Sequence, residues 1–336
     1  MLPSAETPRL YLGVDLGGTK TGLSLWEESG APGTLARGGE GPHPGLELLG
    51  RARWGTPREG PDRAIERIVS EARRLLRTSG AGRLEAIGVS GGGPLDPERG
   101  TILSVPNLPG WKEVPLARLL AEALGAPARI ENDANACALA EWLYGAGKGA
   151  RSLAFLTCST GIGAGFVFDG RLYRGSRCLA GEVGHQVIIP DGLPCGCGGK
   201  GCLEAYASGA GIARRLEALR CRDSGLPRTA REVAERARSG DAFAREFLRE
   251  TAEYLAMGLA NLIFTVNPDR IVLGTIAVGA GEFLLAPLRE ALARRVWPSL
   301  LEGLEIRPAL LGDSLGDHAA LAVARDLWRY LAPSES

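Results

Sequence analysis

Apolar positions along the chain fall into short, partly β-branched runs and longer stretches with helical spacing. The first run, Leu10 to Asp15, reads as a buried strand. Gly17-Gly18-Thr19-Lys20 then turns the chain, and Thr21 to Trp26 alternates as the return strand of a hairpin. From Gly30 to Pro61 neither period is visible, and the wealth of Gly, Pro and Arg predicts an extended excursion. Asp62 to Thr78 carries Ile65, Ile68, Val69, Leu75 and Leu76 on one side of an amphipathic helix. Ala86 to Ser90 is a strand that ends in Gly91-Gly92-Gly93-Pro94. A helix over Pro115 to Leu124 and a strand over Ala128 to Ile130 follow. The strand runs through Glu131-Asn132-Asp133 into a helix from Ala134 to about Tyr144.

The opening pattern then recurs. Leu153 to Thr157 is a strand, Ser159-Thr160-Gly161 a glycine turn, and Ala164 to Phe168 a return strand. The two turns, at Gly17 and Gly161, lie 144 positions apart and predict a duplicated architecture with two phosphate-facing hairpins across a cleft. Helices follow, the longest over about Ala242 to Phe264. A strand over Arg270 to Leu273 leads to Gly274, and the last helix covers about Gly316 to Tyr330. Alternating strands and helices make the fold class α/β. Residues 1–125 with the helix at 316–332 are expected to form a smaller domain, and residues 126–315 a larger one.

Composition narrows the chemistry. A chain of 336 residues with 45% apolar content can fill two cores. Lys plus Arg and Asp plus Glu both number 39, so no net field favours nucleic acid or an anionic membrane. No basic start followed by an apolar run opens the chain, and no run of about 18 apolar residues exists to span a bilayer. The expectation is a soluble, cytoplasmic protein with reduced thiols.

Those thiols are not scattered evenly. His185 is followed ten, twelve and seventeen residues later by Cys195, Cys197 and Cys202, within a Gly-rich segment. A closed Cys₃His set is the pattern of structural Zn²⁺, and the glycines let the backbone turn tightly enough to aim three sulfurs at one point. The competing reading is a glycine-rich loop with unconnected buried thiols. Cys137, Cys158, Cys178 and Cys221 read as ordinary thiols.

Two common phosphate motifs fail here. Gly13 to Lys20 resembles a Walker A loop but places Thr before Lys and opens a strand rather than a helix. Gly161-Ile162-Gly163 lacks the third glycine of a dinucleotide fingerprint, since residue 166 is Phe. What fits is Asp-x-Gly-Gly-Thr-Lys at 15–20, with Glu131-Asn132-Asp133-Ala134-Asn135 and Ser159-Thr160-Gly161-Ile162-Gly163. Gly181-Glu182-Val183-Gly184-His185 and Cys-x-Cys-Gly-x-x-Gly-Cys-x-Glu at 195–204 complete the set. In this order, the five motifs resemble the ROK family of sugar kinases and related repressors, within the actin-like ATPase superfamily. The resemblance spans residue 10 to about 325 and implies a two-lobed fold of duplicated α/β domains.

By that resemblance, Asp133 is the general base that takes a proton from a sugar hydroxyl as it attacks the γ-phosphate of ATP. Its position alone also reads as a helix N-cap. The resemblance assigns Asp15 to Mg²⁺, through water, and Gly17, Gly18, Thr19, Lys20, Thr160 and Gly161 to the phosphates. Gly93, Asn107, Asn132, Asp133, Glu182, His185 and Glu204 are assigned to the sugar, with His185 also on zinc. Partners are then ATP and a small sugar, and family members are commonly homodimers or homotetramers. Three positions depart from the family pattern: Ser159 in the second phosphate turn, Gly274-Thr275-Ile276-Ala277 in place of a glycine triplet, and Gly92-Gly93 in place of Pro-Gly. The implied activity is a hexose kinase acting on the 6-hydroxyl of glucose or a relative. An N-acetylhexosamine kinase, such as one for N-acetylmannosamine, is the alternative. A non-catalytic sugar sensor is a third reading, disfavoured because only nine residues precede Leu10 and Asp133 is intact.

Overall fold

The structure is a computed structural model, and it describes residues 8–29, 45–80, 82–105, 108–221 and 223–331. The chain divides into two compact units, residues 1–144 with 313–336 and residues 145–312. The expected boundary at residue 125 falls one strand and one helix too early. The strand at 128–132 pairs in parallel with the strand at 83–91, and the helix at 133–144 packs on the C-terminal helix, so both belong to the first unit.

The first unit contains β1 (Arg9–Leu16), β2 (Lys20–Glu28), β3 (Leu46–Gly55), α1 (Pro61–Thr78), β4 (Arg83–Gly91), β5 (Leu95–Asp96), β6 (Thr101–Ser104), β7 (Lys112–Val114), α2 (Leu116–Leu124), β8 (Ala128–Asn132) and α3 (Asp133–Tyr144). A C-terminal helix, Leu315–Leu331, completes it. The main sheet runs β3-β2-β1-β4-β8, with β1, β2 and β3 antiparallel and β1, β4 and β8 parallel. One sheet face buries Leu12, Val14, Leu23, Leu25, Ile87 and Val89 together with Ile68 of α1 and Leu116 and Leu120 of α2. Each such side chain is worth about 1.5–3 kcal/mol when fully buried. The C-terminal helix approaches β4 so closely that a Cβ on Gly88 would collide with the Ala320 carbonyl oxygen.

The excursion expected between Gly30 and Pro61 is therefore only partly one. Residues 30–44 lie outside the described residues, but residues 46–55 form the edge strand β3. Its alternation is hidden because half-buried positions hold Leu49 and Ala52 while Arg51 and Arg53 occupy the other face.

The second unit repeats the plan. It contains β9 (Ser152–Leu156), β10 (Ala164–Phe168), β11 (Arg171–Tyr173), α4 (Leu203–Ala207), α5 (Gly209–Arg220), α6 (Ala230–Arg238), α7 (Ala242–Val266), β12 (Arg270–Leu273), α8 (Thr275–Ala280), α9 (Glu282–Ala293), α10 (Pro298–Leu301) and β13 (Glu305–Pro308). The sheet order β11-β10-β9-β12-β13 matches that of the first unit strand for strand, including the antiparallel meander and parallel crossovers. Leu156, Phe166, Leu203, Phe247, Leu255, Leu259, Leu273 and Leu288 build its core. Helix starts are chemically marked. Ser208, Thr229 and Asp241 accept hydrogen bonds from the amides of Gly211, Glu232 and Ala244, which satisfies donors the helix itself cannot. Among the described residues, no helix is long and apolar enough to cross a membrane.

Candidate active site and candidate metal centre

In the first unit, Asp15 and Asp133 are carried to one edge of the sheet. Asp15 is the next-to-last residue of β1 and Asp133 follows β8, and β1, β4 and β8 run in parallel. In open α/β sheets, ligands bind at the carboxyl ends of such strands. Asp133 opens α3 and is exposed. The Ala134 amide donates to Asp133 Oδ1 at 2.8 Å and to Asn132 Oδ1 at 3.0 Å, so the capping duty is shared. Glu131 is fully buried, and its Oε1 accepts from the Asn132 amide and from Asn135 Nδ2. That network fixes the backbone on which Asp133 stands.

The turn Gly17–Lys20 closes through the Gly17 amide, which donates to the Lys20 carbonyl at 3.0 Å. Thr56, which the sequence did not single out, braces it. Its hydroxyl donates to the Gly17 carbonyl at 2.6 Å, its amide donates to the Thr19 carbonyl at 3.0 Å, and Thr21 Oγ1 lies 2.8 Å from its Oγ1. Thr19 and Lys20 are exposed.

Asp15 sits in an acidic neighbourhood. Burial pushes its carboxyl up to about 6, Asp317 and Asp133 push the same way, and Arg53 opposes them. Asp317 is 1% exposed and its Oδ2 accepts from Arg51 Nη2 at 2.8 Å and Arg53 Nη2 at 3.0 Å. These three residues also went unremarked in the sequence, because a lone Asp in a helix and two Arg in an irregular stretch carry no motif. The concentration of carboxylate charge beside Asp15 fits a divalent cation held by oxygen ligands, which would remove the repulsion. Gly93 lies beside Asn132, and Asn107 lies outside the described residues.

In the second unit, the turn after β9 is fixed from several sides. The Ser159 amide donates to the Gly161 carbonyl, and the Ser159 and Thr160 carbonyls accept from the Gly209 and Ala210 amides of α5. Glu204 Oε2 accepts from the Ile162 amide at 2.9 Å, tying this turn to the cysteine loop. Thr160 remains exposed.

The loop gathers His185, Cys195, Cys197 and Cys202 so that their ligand atoms all lie within 4.8 Å of one another. Cys197 Sγ and Cys202 Sγ are 3.8 Å apart, which matches the edge of a tetrahedron with Zn–S bonds of about 2.3 Å. Cys195 Sγ lies 3.6 Å from His185 Nδ1. Burial and the neighbouring thiols push Cys202 up to about 12, a cost that a cation taking the thiolate would remove. The four residues therefore fit Zn²⁺. His185 Nε2 points the other way, 3.8 Å from Glu182 Oε2, and Cys195 Sγ lies 4.0 Å from Glu204 Oε1. Glu182, His185 and Glu204 are thus arranged around one loop.

Comparison with known proteins bears on this arrangement. Residues 11–329 match the profile of the ROK family. A glucokinase of Thermotoga maritima is 34% identical over 331 residues, covering 95% of this chain and 98% of that one. The crystal structure of a ROK hexokinase from Thermus thermophilus superposes with a TM-score of 0.75 at 38% identity, covering 94% and 97% of the two chains. A ROK family glucokinase from Streptomyces griseus, solved with glucose and AMPPNP, gives a TM-score of 0.72 at 29% identity over 94% and 99%.

Proposed function

The chain belongs to the ROK family and has its actin-like ATPase fold, and from that premise we propose that it is an ATP-dependent kinase for the 6-hydroxyl of glucose or a related hexose. The observation that supports this most is the pair Asp15 and Asp133 at the carboxyl ends of the parallel strands of one mixed sheet, close enough for the charge of Asp133 to act on Asp15.

Asp133 acts as general base. Held by its own helix amide at Oδ1, the carboxylate accepts the proton of the sugar hydroxyl as that oxygen bonds to the γ-phosphorus and the bond to the β-phosphate bridging oxygen breaks. Asn132 and the backbone at Gly93 orient the hydroxyls, and Asn107 is assigned to the same task. The turn Gly17–Lys20 supplies backbone amides, the Thr19 hydroxyl and the Lys20 ammonium to the phosphates. Thr160 and Gly161 present the corresponding groups of the second turn. Asp15 would hold Mg²⁺ through water, and the ion would neutralise charge on the phosphates.

In the second unit, Glu182, His185 and Glu204 accept and donate sugar hydrogen bonds. Zn²⁺ on His185, Cys195, Cys197 and Cys202 would be structural, fixing the loop that carries these groups.

Asp133→Asn tests the central assignment. Glucose binding should persist while turnover falls by about 10²–10⁴; turnover near the wild-type rate would remove Asp133 from the role of base. Gly92-Gly93 stands where the family pattern has Pro-Gly, and a Cβ on Gly92 would meet nothing within 4 Å; the second reading is a kinase for an N-acetylhexosamine, such as N-acetylmannosamine. Rates with ATP over glucose, mannose, fructose, N-acetylglucosamine and N-acetylmannosamine decide between them.

A further inference from the structure

The first turn of the C-terminal helix is built against Asp15. A Cβ on Gly316 would collide with the Asp15 carboxylate, reaching Cγ at 3.0 Å. The next residue, Asp317, is buried and binds both Arg51 and Arg53 of β3. Arg53 is in turn aligned with Asp15: the registers pair Asp15 with Gly22 and Gly22 with Arg53, one row across three strands. Because the middle position is glycine, the Arg53 stem and the Asp15 Cβ close over it. A Cβ on Gly22 would stand 3.6 Å from Asp15 Cβ and 3.7 Å from Arg53 Cγ. Arg53 Nη2 also lies 3.4 Å from the Asp313 carbonyl, just before the helix.

We propose that Gly316, Asp317 and Arg53 are positioning residues that set the carboxylate of Asp15 for the metal-bound phosphates. The inference rests on the assignment of Asp15 to that group. Asp317 clamps the helix start to β3 through two arginines, and the clamp seats Gly316 against the Asp15 oxygens, leaving the carboxylate one place to lie. A side chain at 316 would displace it, and loss of Arg53 would leave Asp317 held by Arg51 alone and remove the contact with the Asp313 carbonyl, loosening the helix start beside Asp15. Second-row contacts of this kind typically govern metal affinity about 10–100-fold.

The test uses the full chain and Mn²⁺ as a paramagnetic probe, titrated with the non-hydrolysable analogue AMPPNP while free Mn²⁺ is read by electron paramagnetic resonance. Gly316→Ala changes no charge and places a better helix former in the helix. It should bind Mn²⁺·AMPPNP about tenfold more weakly than wild type, with no loss of Tm. Arg53→Met should also bind more weakly, whereas the removal of a cation acting only through its field would strengthen cation binding. Arg53→Lys should recover part of the loss. Gly316→Ala within twofold of wild type, or tighter binding in Arg53→Met, overturns the inference. Asp15→Asn is the control: if it binds as wild type does, the metal assignment of Asp15 fails, and the positioning role falls with it.

Discussion

Asp15 illustrates how a single side chain can oppose the stability of its own fold. Its carboxyl is pushed from the ordinary 3.8 up to about 6 in the folded chain, so the folded state holds the extra proton across that interval. Stability contributed by this group is present below about pH 4 and is lost as pH rises to about 6, at most about 3 kcal/mol. Asp15→Asn should therefore melt above wild type at pH 7.5, by about 2–4 °C per kcal/mol relieved, and match it near pH 3.5, while losing Mg²⁺-dependent turnover. Equal melting temperatures at both pH values would contradict the strained-carboxylate picture. The turn beside Asp15 was legible in the sequence because glycines mark it. Arg53, Asp317 and Thr56 were not, since their roles depend on strand register and on a helix more than 250 positions along the chain.

Elements show the same division. Segments with clean periodicity, such as α1, α7 and the strands around the two glycine turns, were readable to within a few residues. The strand β3 was not, because its Arg and Gly content masks alternation at a sheet edge. The small sheet of β5, β6 and β7 escaped for a different reason, its strands being only two to four residues long and too short to show a period. The C-terminal helix is anchored by a buried polar cluster that no pattern announces. Arg325, 7% exposed, donates to Tyr144 Oη at 2.9 Å and pairs with Glu28, which also accepts from Tyr11 Oη at 2.9 Å. Breaking such a buried pair from one side costs about 3–5 kcal/mol, so Arg325→Met should lower stability by that order in chemical denaturation; a loss under 1 kcal/mol would show the pair to be dispensable. For the cysteine loop, spacing alone revealed the cluster. Cys197→Ala should abolish the stoichiometric zinc that elemental analysis would find in the wild-type protein; an unchanged metal content would exclude Cys197 as a ligand.

For the molecule as a whole, duplication was visible in the repeated strand–turn–strand pattern, and the matching strand orders of the two sheets bear it out. The exact seam was not visible, because β8 and α3 resemble members of either unit until their pairing is known. Each unit has its own core, and five of the six tryptophans (Trp26, Trp54, Trp111, Trp142 and Trp328) belong to the first, leaving Trp297 in the second. Stripping zinc should thus lower the unfolding midpoint seen by far-ultraviolet circular dichroism more than the one seen by tryptophan emission; identical shifts would mean that the units melt as one. Connectivity adds a temporal constraint. The second unit is a continuous stretch, whereas the first is split around it and includes a closing helix from the chain's end. On the ribosome, the part begun earliest must wait longest: β1 and β4 emerge with one face uncovered and keep it so until residues 315–331 have been made. A stop codon shortly before residue 315 would leave the intervening unit whole and its elder neighbour without a lid on its sheet.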